Sequence, residues 1–412
     1  MLAGYRDANG KLVAGTEVMH LVPHKGRLYA GTSLWMESDP SVPKACQVLV
    51  LDSPKGPWRV DRQFTPNNLR LGSLKEITFS TDANGKRVSA VSMLLAAPDV
   101  VRGPAKVFSR DDETGDWVPS VLGSVTNYTT TRAIGLHRDR VTGTDRVFAG
   151  TDHLGVIGGV YDPAAPGRIR WENPAELQTP SGERVMAFCN CDGTFYCATS
   201  RHIFQRADGV APAWKEIYFC ARETSPCGIR GLSAVPNPSR AGEVLLFAAL
   251  SKVRRLDPTD GFNETVELDM PAFLTGKLGI KVGFALAAYN EFTPCTMPGT
   301  GETVWLFGLE SSYPPPVVEA RQPPKLRLFM REGHKPYFAA EARYCIRHAK
   351  GSDISYDLAE VTDPRQPTLV SVRVIAASPF PEDRGQAFYF GGFDCNAIAS
   401  HNTAWIYRGE MP

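Results

Sequence analysis

The 412-residue sequence predicts an all-β fold built from one repeated pair of strands. A short phrase recurs about every fifty residues and consists of a large apolar residue, then small residues, then polar ones. Its copies read YAGTSLW from Tyr29, AVSMLLA (the weakest) from Ala90, FAGTDHL from Phe148, YCATSRH from Tyr196, FAALSKV from Phe247, LFGLESS from Leu306 and YFGGFDC from Tyr389. Large side chains followed by Ala and Gly are typical of a strand buried in a tightly packed sheet. Repetition at this period indicates a repeat architecture.

A second segment precedes each copy of the phrase and supplies its partner strand. The seven segments begin at Glu17, Lys75, Arg132, Arg184, Arg230, Lys281 and Arg373. Successive starts lie 46 to 58 residues apart, except for a last step of 92 residues. Seven strand pairs at this spacing predict seven four-stranded blades, which together form a seven-bladed β-propeller.

The outer part of the repeat also recurs, as a tryptophan in a short β-like stretch such as PWRV or AWKE. The four tryptophans are Trp58, Trp117, Trp171 and Trp214. An indole at this position covers the seam between neighbouring blades, so we interpret these residues as packing residues.

The two ends of the sequence predict how the ring closes. After the phrase at Tyr389 there is one more strand, around Ala404 to Tyr407, so the last unit is one strand short. The first dozen residues are spare and contain a strand that ends in the turn Asn9-Gly10. An open blade would leave an unpaired edge, so we expect an N-terminal strand to complete the last blade.

The phrase and the outer tryptophans resemble the β-propeller superfamily over essentially the whole chain. No single member family is matched. Ser80-Thr-Asp82 opens like the Asp-box of sialidases, but Ala83-Asn-Gly-Lys86 does not continue it, and WD dipeptides do not occur at regular positions. The resemblance implies the architecture and leaves the chemistry open.

Composition fits one propeller domain over residues 1–412, with lid-like insertions at about 311–324 and 343–368. A formal net charge of +1 provides no field for nucleic acid or an anionic membrane, and no apolar run approaches the ~20 residues of a membrane span. The start, MLAGYRDANG, lacks the features of a signal peptide. We therefore expect a cytoplasmic protein, or an exported one if a signal peptide has been removed, and the oligomeric state stays open.

Nine cysteines leave at least one free thiol in a monomer. Cys220 and Cys227 bracket a loop, so a disulfide between them is one interpretation. The other, preferred for most of the nine, is small buried thiols.

Charged residues are expected to crowd around one mouth of the central channel. In a propeller the inner strand starts on the face to which the second strand returns, so segment starts and phrase ends meet there. This brings together four arginines and three carboxylates, namely Arg132, Arg184, Arg230, Arg373, Glu17, Glu310 and Asp394. Arginine binds carboxylate and phosphate bidentately, which predicts an anionic small molecule or sugar acid as ligand. Solvated or salt-bridged arginines with a purely structural role are the alternative.

The long step from Lys281 to Arg373 predicts loops on the same face. One is rich in proline after Glu310, and the other precedes the last inner strand. Long loops on a rigid scaffold often carry function, so we interpret them as a lid or substrate wall, with a dimerisation loop as the alternative.

Candidate proton carriers are His153, with Asp152 beside it, and Tyr313 and Tyr356 from the expected lid. His153, Cys395 and His401 are candidate ligands of a divalent metal ion, although their spacing matches no tight metal motif. No other cofactor is expected.

Two functions remain open from the sequence. The first is an enzyme, of lyase or hydrolase type, that acts by acid–base chemistry on an anionic, carbohydrate-like or carboxylated small molecule at the funnel. The second is a non-catalytic binding or scaffold module that recognises a ligand or peptide on the same face.

Overall fold

Seven antiparallel blades surround one channel in the computed structural model, which describes residues 1–34, 45–180, 183–221, 228–279, 281–297, 299–312, 327–329, 337–339, 342–363, 369–394 and 403–410. The predicted seven-bladed β-propeller is therefore confirmed. The first five blades are preceded by a small hairpin. The hairpin consists of β1 (Tyr5–Arg6) and β2 (Leu12–Val13). Blade one contains β3 (Glu17–His24), β4 (Arg27–Ser33), β5 (Gln47–Leu51) and β6 (Arg59–Gln63), and blade two contains β7 (Leu71–Thr81), β8 (Arg87–Pro98), β9 (Gly103–Arg110) and β10 (Trp117–Val125). Blade three contains β11 (Thr131–Arg138), β12 (Asp145–Thr151), β13 (Val156–Tyr161) and β14 (Ile169–Trp171), blade four contains β15 (Val185–Cys191), β16 (Thr194–Thr199), β17 (His202–Ala207) and β18 (Ala213–Phe219), and blade five contains β19 (Arg230–Pro236), β20 (Glu243–Ala249), β21 (Lys252–Leu256) and β22 (Glu264–Asp269).

Blades six and seven depart from this regular plan. A helix, α1 (Met270–Leu278), leads into blade six. The remaining strands are β23 (Phe284–Ala287), β24 (Thr293–Thr296), β25 (Thr303–Ser312), β26 (Arg327–Phe329), β27 (Tyr337–Ala339), β28 (Arg343–Lys350) and β29 (Asp353–Glu360) in blade six, and β30 (Leu369–Ala377), β31 (Ala387–Asp394) and β32 (Ala404–Glu410) in blade seven. In blade six, β23 and β24 both pair with β25, so they share the innermost position.

The small residues of the repeated phrase are explained by the contact between neighbouring blades. A Cβ atom added to Gly150 in β12 would lie 2.2 Å from Cγ1 of Val185, which belongs to the inner strand of the next blade. The seam that closes the ring has the same contact, since a Cβ on Gly391 would lie 2.8 Å from Cγ1 of Val18. The repeat thus preserves a close approach of blades, and apolar side chains fill the rest of each seam.

The ring closes through the N-terminus, as predicted. Leu2 pairs with Trp405 in antiparallel register, the amide of Ala3 donates to the carbonyl of Ala404 (2.9 Å), and the amide of Ile406 donates to Met1 (2.8 Å). Residues 1–3 therefore form the fourth strand of blade seven. The turn at Asn9-Gly10 belongs instead to the β1–β2 hairpin downstream of the closing residues.

The outer tryptophans lie at blade seams. Trp117 donates from Nε1 to Asp61 of the preceding blade (2.8 Å), and Trp171 donates in the same way to Ser120 (2.8 Å). Trp214 donates to Glu176 (3.0 Å), which follows the last strand of blade three. Each of these indoles thus joins its blade to the one before it.

Two boundaries in the sequence interpretation are wrong. In blade two the inner strand β7 begins at Leu71, so Arg70 rather than Lys75 stands at the strand start. Residues 343–360 of the insertion predicted at 343–368 are not a lid, because they contain β28 and β29, the third and fourth strands of blade six. Most of the other predicted insertion, at 311–324, lies outside the described residues. The residues that make unit six longer than the other units lie instead between β25 and β28, where β26 and β27 form a hairpin.

Candidate functional site

The innermost strand of blade six is interrupted, and the interruption lies in the channel. The register runs from Ala287 opposite Leu309 to Thr293 opposite Leu306, so residues 288–292 leave the sheet. Ala288 starts the departure with a φ of 46°. Five residues opposite two must bulge away from the strand ladder. Because this strand is innermost, the bulge enters the channel.

Three hydrogen bonds hold the bulge in the channel. The side-chain amide of Asn290 donates to the carbonyl of Met19 in blade one and to that of Arg373 in blade seven (3.4 Å). On the other side, the amide of Phe292 donates to Oγ of Ser233 in blade five (3.3 Å), and the Phe292 ring is buried. Contacts with three blades fix the bulge in place.

Tyr289, which belongs to the bulge, has three arginines around its ring. The guanidinium carbon of Arg373 lies 4.2 Å from the ring centroid, and those of Arg132 and Arg230 each lie 4.6 Å from it. These distances are within the range of cation–π contacts. Burial raises the pKa of the phenol, but the three positive charges, Arg132 foremost, outweigh it and lower the pKa of Tyr289 from 10.0 to about 7.

Two of the three arginines are placed by irregularities of their strands. The register of β11 shifts between Thr131 and Ala133, and that of β30 shifts between Val372 and Val374. Arg132 and Arg373 are the extra residues at these shifts. A bulge re-aims a side chain, and here both guanidinium groups reach the same phenol ring.

Arg373 is also the centre of a buried ion cluster. Its Nε lies 3.2 Å from Glu17 and its Nη1 lies 2.6 Å from Glu310. All three side chains are less than 10% exposed. Arg132 differs, because its Nη2 is buried and has no hydrogen-bond partner in the described part of the chain. The site thus contains both a neutralised cation and one with unused donors.

The structure therefore brings together Glu17, Arg132, Arg230, Glu310 and Arg373, which the sequence placed at one mouth. Arg184 is not among the arginines at Tyr289. It lies near the surface, 42% exposed, with its Nε 3.7 Å from Asp152.

Asp152 and His153 do not form the expected acid–base pair. The carboxylate of Asp152 accepts from the backbone amide of Thr130 (2.9 Å) and from its hydroxyl (3.3 Å), so it anchors a loop. The side chain of His153 is exposed. The carboxylate of Asp152 is thus engaged by Thr130 and does not orient the imidazole of His153.

Tyr356 is also misplaced by the sequence interpretation. It lies in β29, an outer strand, and its hydroxyl donates to Glu267 of blade five (2.6 Å). The same carboxylate accepts from Nε of Arg347 (2.8 Å), whose side chain is fully buried. Burial raises the pKa of Tyr356 far above its usual value. It is a seam residue and cannot reach the channel.

Other predicted residues fall outside the described part of the chain: Tyr313, Cys395, His401 and the side chain of Asp394. Among the described residues, no three His, Cys, Asp or Glu side chains are grouped to hold a metal ion. Cys220 is a free thiol, as are the other six cysteines that the structure describes, whereas Cys227, the partner in the disulfide interpretation, lies outside the described residues.

Beyond the bulge, the channel opens into a cavity of about 670 Å³. At its inner end the ammonium of Lys75 lies 3.2 Å from the carboxylate of Glu291, and each side chain is about half exposed. Nε2 of His20 lies 3.2 Å from the Leu71 carbonyl and 3.1 Å from that of Gly72, so Nε2 carries the ring proton. Burial, with Arg132 nearby, lowers the pKa of His20 to about 4.

Sequence reasoning missed Tyr289 and Glu291, although one signal was present. The inner segment of unit six begins 25 residues before its phrase, from Lys281 to Leu306, whereas unit four needs only 12, from Arg184 to Tyr196. Extra residues between two adjacent strands of a repeat indicate either a longer turn or an interruption of the first strand. The polar pair Asn290-Glu291 within the excess indicates the interruption.

Comparison with solved structures finds propeller proteins at low similarity. The periplasmic gluconolactonase PpgL of Pseudomonas aeruginosa is 12% identical, with a TM-score of 0.44 over 92% of this chain and 98% of that one. A GH43 β-1,3-galactosidase is 11% identical, with a TM-score of 0.32 over 65% and 98%. The WD40 domain of SCAP from fission yeast is 9% identical, with a TM-score of 0.37 over 95% and 84%. No protein-family model and no curated protein matches the chain. These similarities are too low to assign chemistry.

The described part of the chain contains one α-helix, the nine-residue α1. No helix there combines the length and the apolar character that crossing a membrane requires.

Proposed function

We propose that the protein binds a small molecule carrying a carboxylate, of the class of uronic-acid sugars, beside Tyr289 and eliminates a group from it by acid–base chemistry. The observation that carries this proposal is a single phenol, held in the channel, with three guanidinium groups within 4.6 Å of its ring centroid. Such a phenol exchanges a proton near neutral pH, as a general acid or base should.

The charges around Tyr289 favour an anion. The described contacts contain three arginine cations and two carboxylates, Glu17 and Glu310, both of which bind Arg373. The other two guanidinium groups, those of Arg132 and Arg230, also lie against the ring. They favour negative charge beside them, both on the phenolate of Tyr289 and on the carboxylate of a bound ligand. Arginine suits such a ligand because its fork matches the two oxygens of a carboxylate.

The proposed reaction needs no oxidant or reductant. The phenolate oxygen of Tyr289 accepts the proton from the carbon beside the carboxylate, and the guanidinium groups stabilise the negative charge that develops on the carboxylate oxygens. The electron pair of the broken C–H bond is first delocalised into the carboxylate. It then forms a carbon–carbon double bond as the bond from the next carbon to its oxygen substituent breaks, and the leaving oxygen takes the proton from the Tyr289 phenol. The products are an unsaturated acid and an alcohol.

Hydrolysis by two carboxylates is less well supported. A glycosidase needs one carboxylic acid to protonate the leaving group and a second carboxylate as base or nucleophile. Glu17 and Glu310 are the buried carboxylates at the site, and both contact the same guanidinium of Arg373. Because both carboxylates are engaged by Arg373, neither is placed to act as the acid or the base of a glycosidase.

The proposal is tested with Tyr289→Phe and a matched control, Tyr356→Phe, in which the lost hydroxyl lies at a blade seam. Uronic-acid oligosaccharides are supplied, binding is measured by calorimetry, and the unsaturated product is followed by its ultraviolet absorbance. Loss of general acid–base catalysis typically costs about 10²–10⁴-fold in rate. We expect Tyr289→Phe to lose turnover by about that factor with affinity little changed.

Arg230→Met should instead weaken binding about ten- to hundred-fold, the cost of a charge-assisted contact. Tyr356→Phe should retain turnover if it remains folded, as circular dichroism will report. Binding without any unsaturated product would favour the non-catalytic binding module. Absence of binding to every uronate tried would reject the proposal in both forms.

A further inference from the structure

The cavity beyond the bulge adjoins the Tyr289 site. Arg132 lines the cavity and also lies 4.6 Å from the ring centroid of Tyr289, whereas Tyr289 itself is not among the lining residues. Asn290 and Glu291, the next two residues of the bulge, do line the cavity, and Asn290 contacts blades one and seven. A volume of about 670 Å³ is in the range of small-molecule sites.

The charged residues that line this cavity balance one another. They are two cations, Lys75 and Arg132, and two carboxylates, Glu76 and Glu291. His20, at the same end, is neutral near pH 7 because its pKa is lowered to about 4. A lining of this kind does not favour a net anion or a net cation. It favours a molecule that carries both charges.

The contact between Lys75 and Glu291 is one that a ligand can replace. The two side chains are 47% and 45% exposed and meet in a single contact of 3.2 Å. Ion pairs at such exposure contribute little to stability, so separating them costs little. A ligand with its own ammonium and carboxylate can form an ion pair with each partner at once. These two contacts offset the free energy of separating Lys75 from Glu291.

The wall of the cavity is apolar. Val22, Leu136 and Phe188 line it from three different blades, and each is only partly buried. Covering partly exposed apolar side chains of this kind is favourable in proportion to the area removed from water. A ligand that fits therefore has an apolar group joined to its charged end.

We propose that this cavity binds a small zwitterion with an apolar side group, that is, an amino acid or short peptide, through the ammonium to Glu291 and the carboxylate to Lys75. The assignment does not rest on elimination at Tyr289, although Arg132 contacts both places. It names a second ligand class in the same channel.

The experiment is calorimetric titration of the intact protein with L-phenylalanine and the dipeptide leucyl-phenylalanine, compared with three blocked forms of phenylalanine. N-acetylphenylalanine keeps only the carboxylate, phenylalaninamide keeps only the ammonium, and N-acetylphenylalaninamide has neither. We expect at least one of the zwitterions to bind and each missing charge to weaken binding about tenfold or more.

The site is located with the double variant Lys75→Met/Glu291→Gln, which removes both charges and leaves no unpaired ion. Its control is Lys277→Met, a lysine of α1 with the same exposure and an acidic partner, Asp357. Zwitterion binding should fall tenfold or more in the double variant and stay unchanged in the control. Thermal melts check that both variants fold.

Several results would overturn the assignment: failure of both zwitterions to bind, equal binding of the doubly blocked form, or binding that survives in the double variant. Tyr289→Phe separates the two proposals. This variant should abolish elimination and leave zwitterion binding intact. Either proposal can therefore be refuted while the other stands.

Discussion

Replacing Tyr289 with phenylalanine should change the pH dependence of stability in a way that the structure defines. A pKa lowered from 10.0 to about 7 means that the folded protein loses this proton before the unfolded chain does. Each unit of the difference corresponds to about 1.4 kcal/mol, so the full effect is about 4 kcal/mol at most. The perturbation removes only a hydroxyl.

The sign follows from proton linkage. Between pH 7 and 10 the unfolded state holds a proton that the folded state has lost, so the stability contributed by Tyr289 rises with pH across this window. It is fully present above the unfolded pKa and is lost as the pH falls through the folded pKa. At pH 9 the phenolate should therefore stabilise the folded protein by about 2 to 3 kcal/mol relative to its contribution at pH 6.

The assay is urea unfolding of the parent protein and of Tyr289→Phe at several values between pH 6 and 9. Other groups titrate equally in both proteins, so the difference between the two unfolding free energies isolates Tyr289. Ultraviolet difference spectra should detect one phenolate forming near pH 7 in the parent protein alone. If this difference in unfolding free energy does not change with pH and no phenolate forms below pH 9, the three arginines do not lower the pKa of Tyr289 and the reasoning is refuted.

Two further perturbations test the frame of the site by denaturant unfolding. Arg373→Met removes the cation shared by Glu17 and Glu310 and should cost about 3–5 kcal/mol, whereas Arg184→Met at the rim should cost under about 1 kcal/mol; equal costs would contradict this distinction. Deleting residues 1–3 removes three backbone hydrogen bonds to the last blade and should cost about 3 kcal/mol, while an unchanged unfolding curve would show that the ring does not depend on this closure.

The architecture could be predicted because the packing that creates it acts on every blade. At Gly150 a side chain would collide with the next inner strand, and the same holds at Gly391 where the ring closes. A constraint repeated around a ring leaves a repeated phrase in the sequence. The number of blades and the closing strand follow from counting that phrase.

Positions that the packing does not constrain in every blade were predicted less well. In blade two the phrase is weak, and the strand start was predicted at Lys75, whereas in the structure the strand begins next to Arg70. In blade six, β28 and β29 fall within the long step from Lys281 to Arg373, which the sequence analysis interprets as loops. These two strands carry Arg347 and Tyr356. Both side chains bind Glu267 of the preceding blade, and sequence order cannot display such a pairing between distant residues.

The candidate site illustrates the same limit more sharply. The arginines could be predicted because each stands at or near the start of a repeated strand, where a ring brings equivalent positions together. Tyr289 could not be predicted, because it lies where the repeat is broken and has no counterpart in the described inner strands of the other six blades. Its lowered pKa needs three residues from three blades, and its position needs a bulge that Asn290 holds across the channel. In this propeller the repeated strands position the arginines. The proposed chemistry depends on Tyr289, which lies in the interrupted inner strand of blade six.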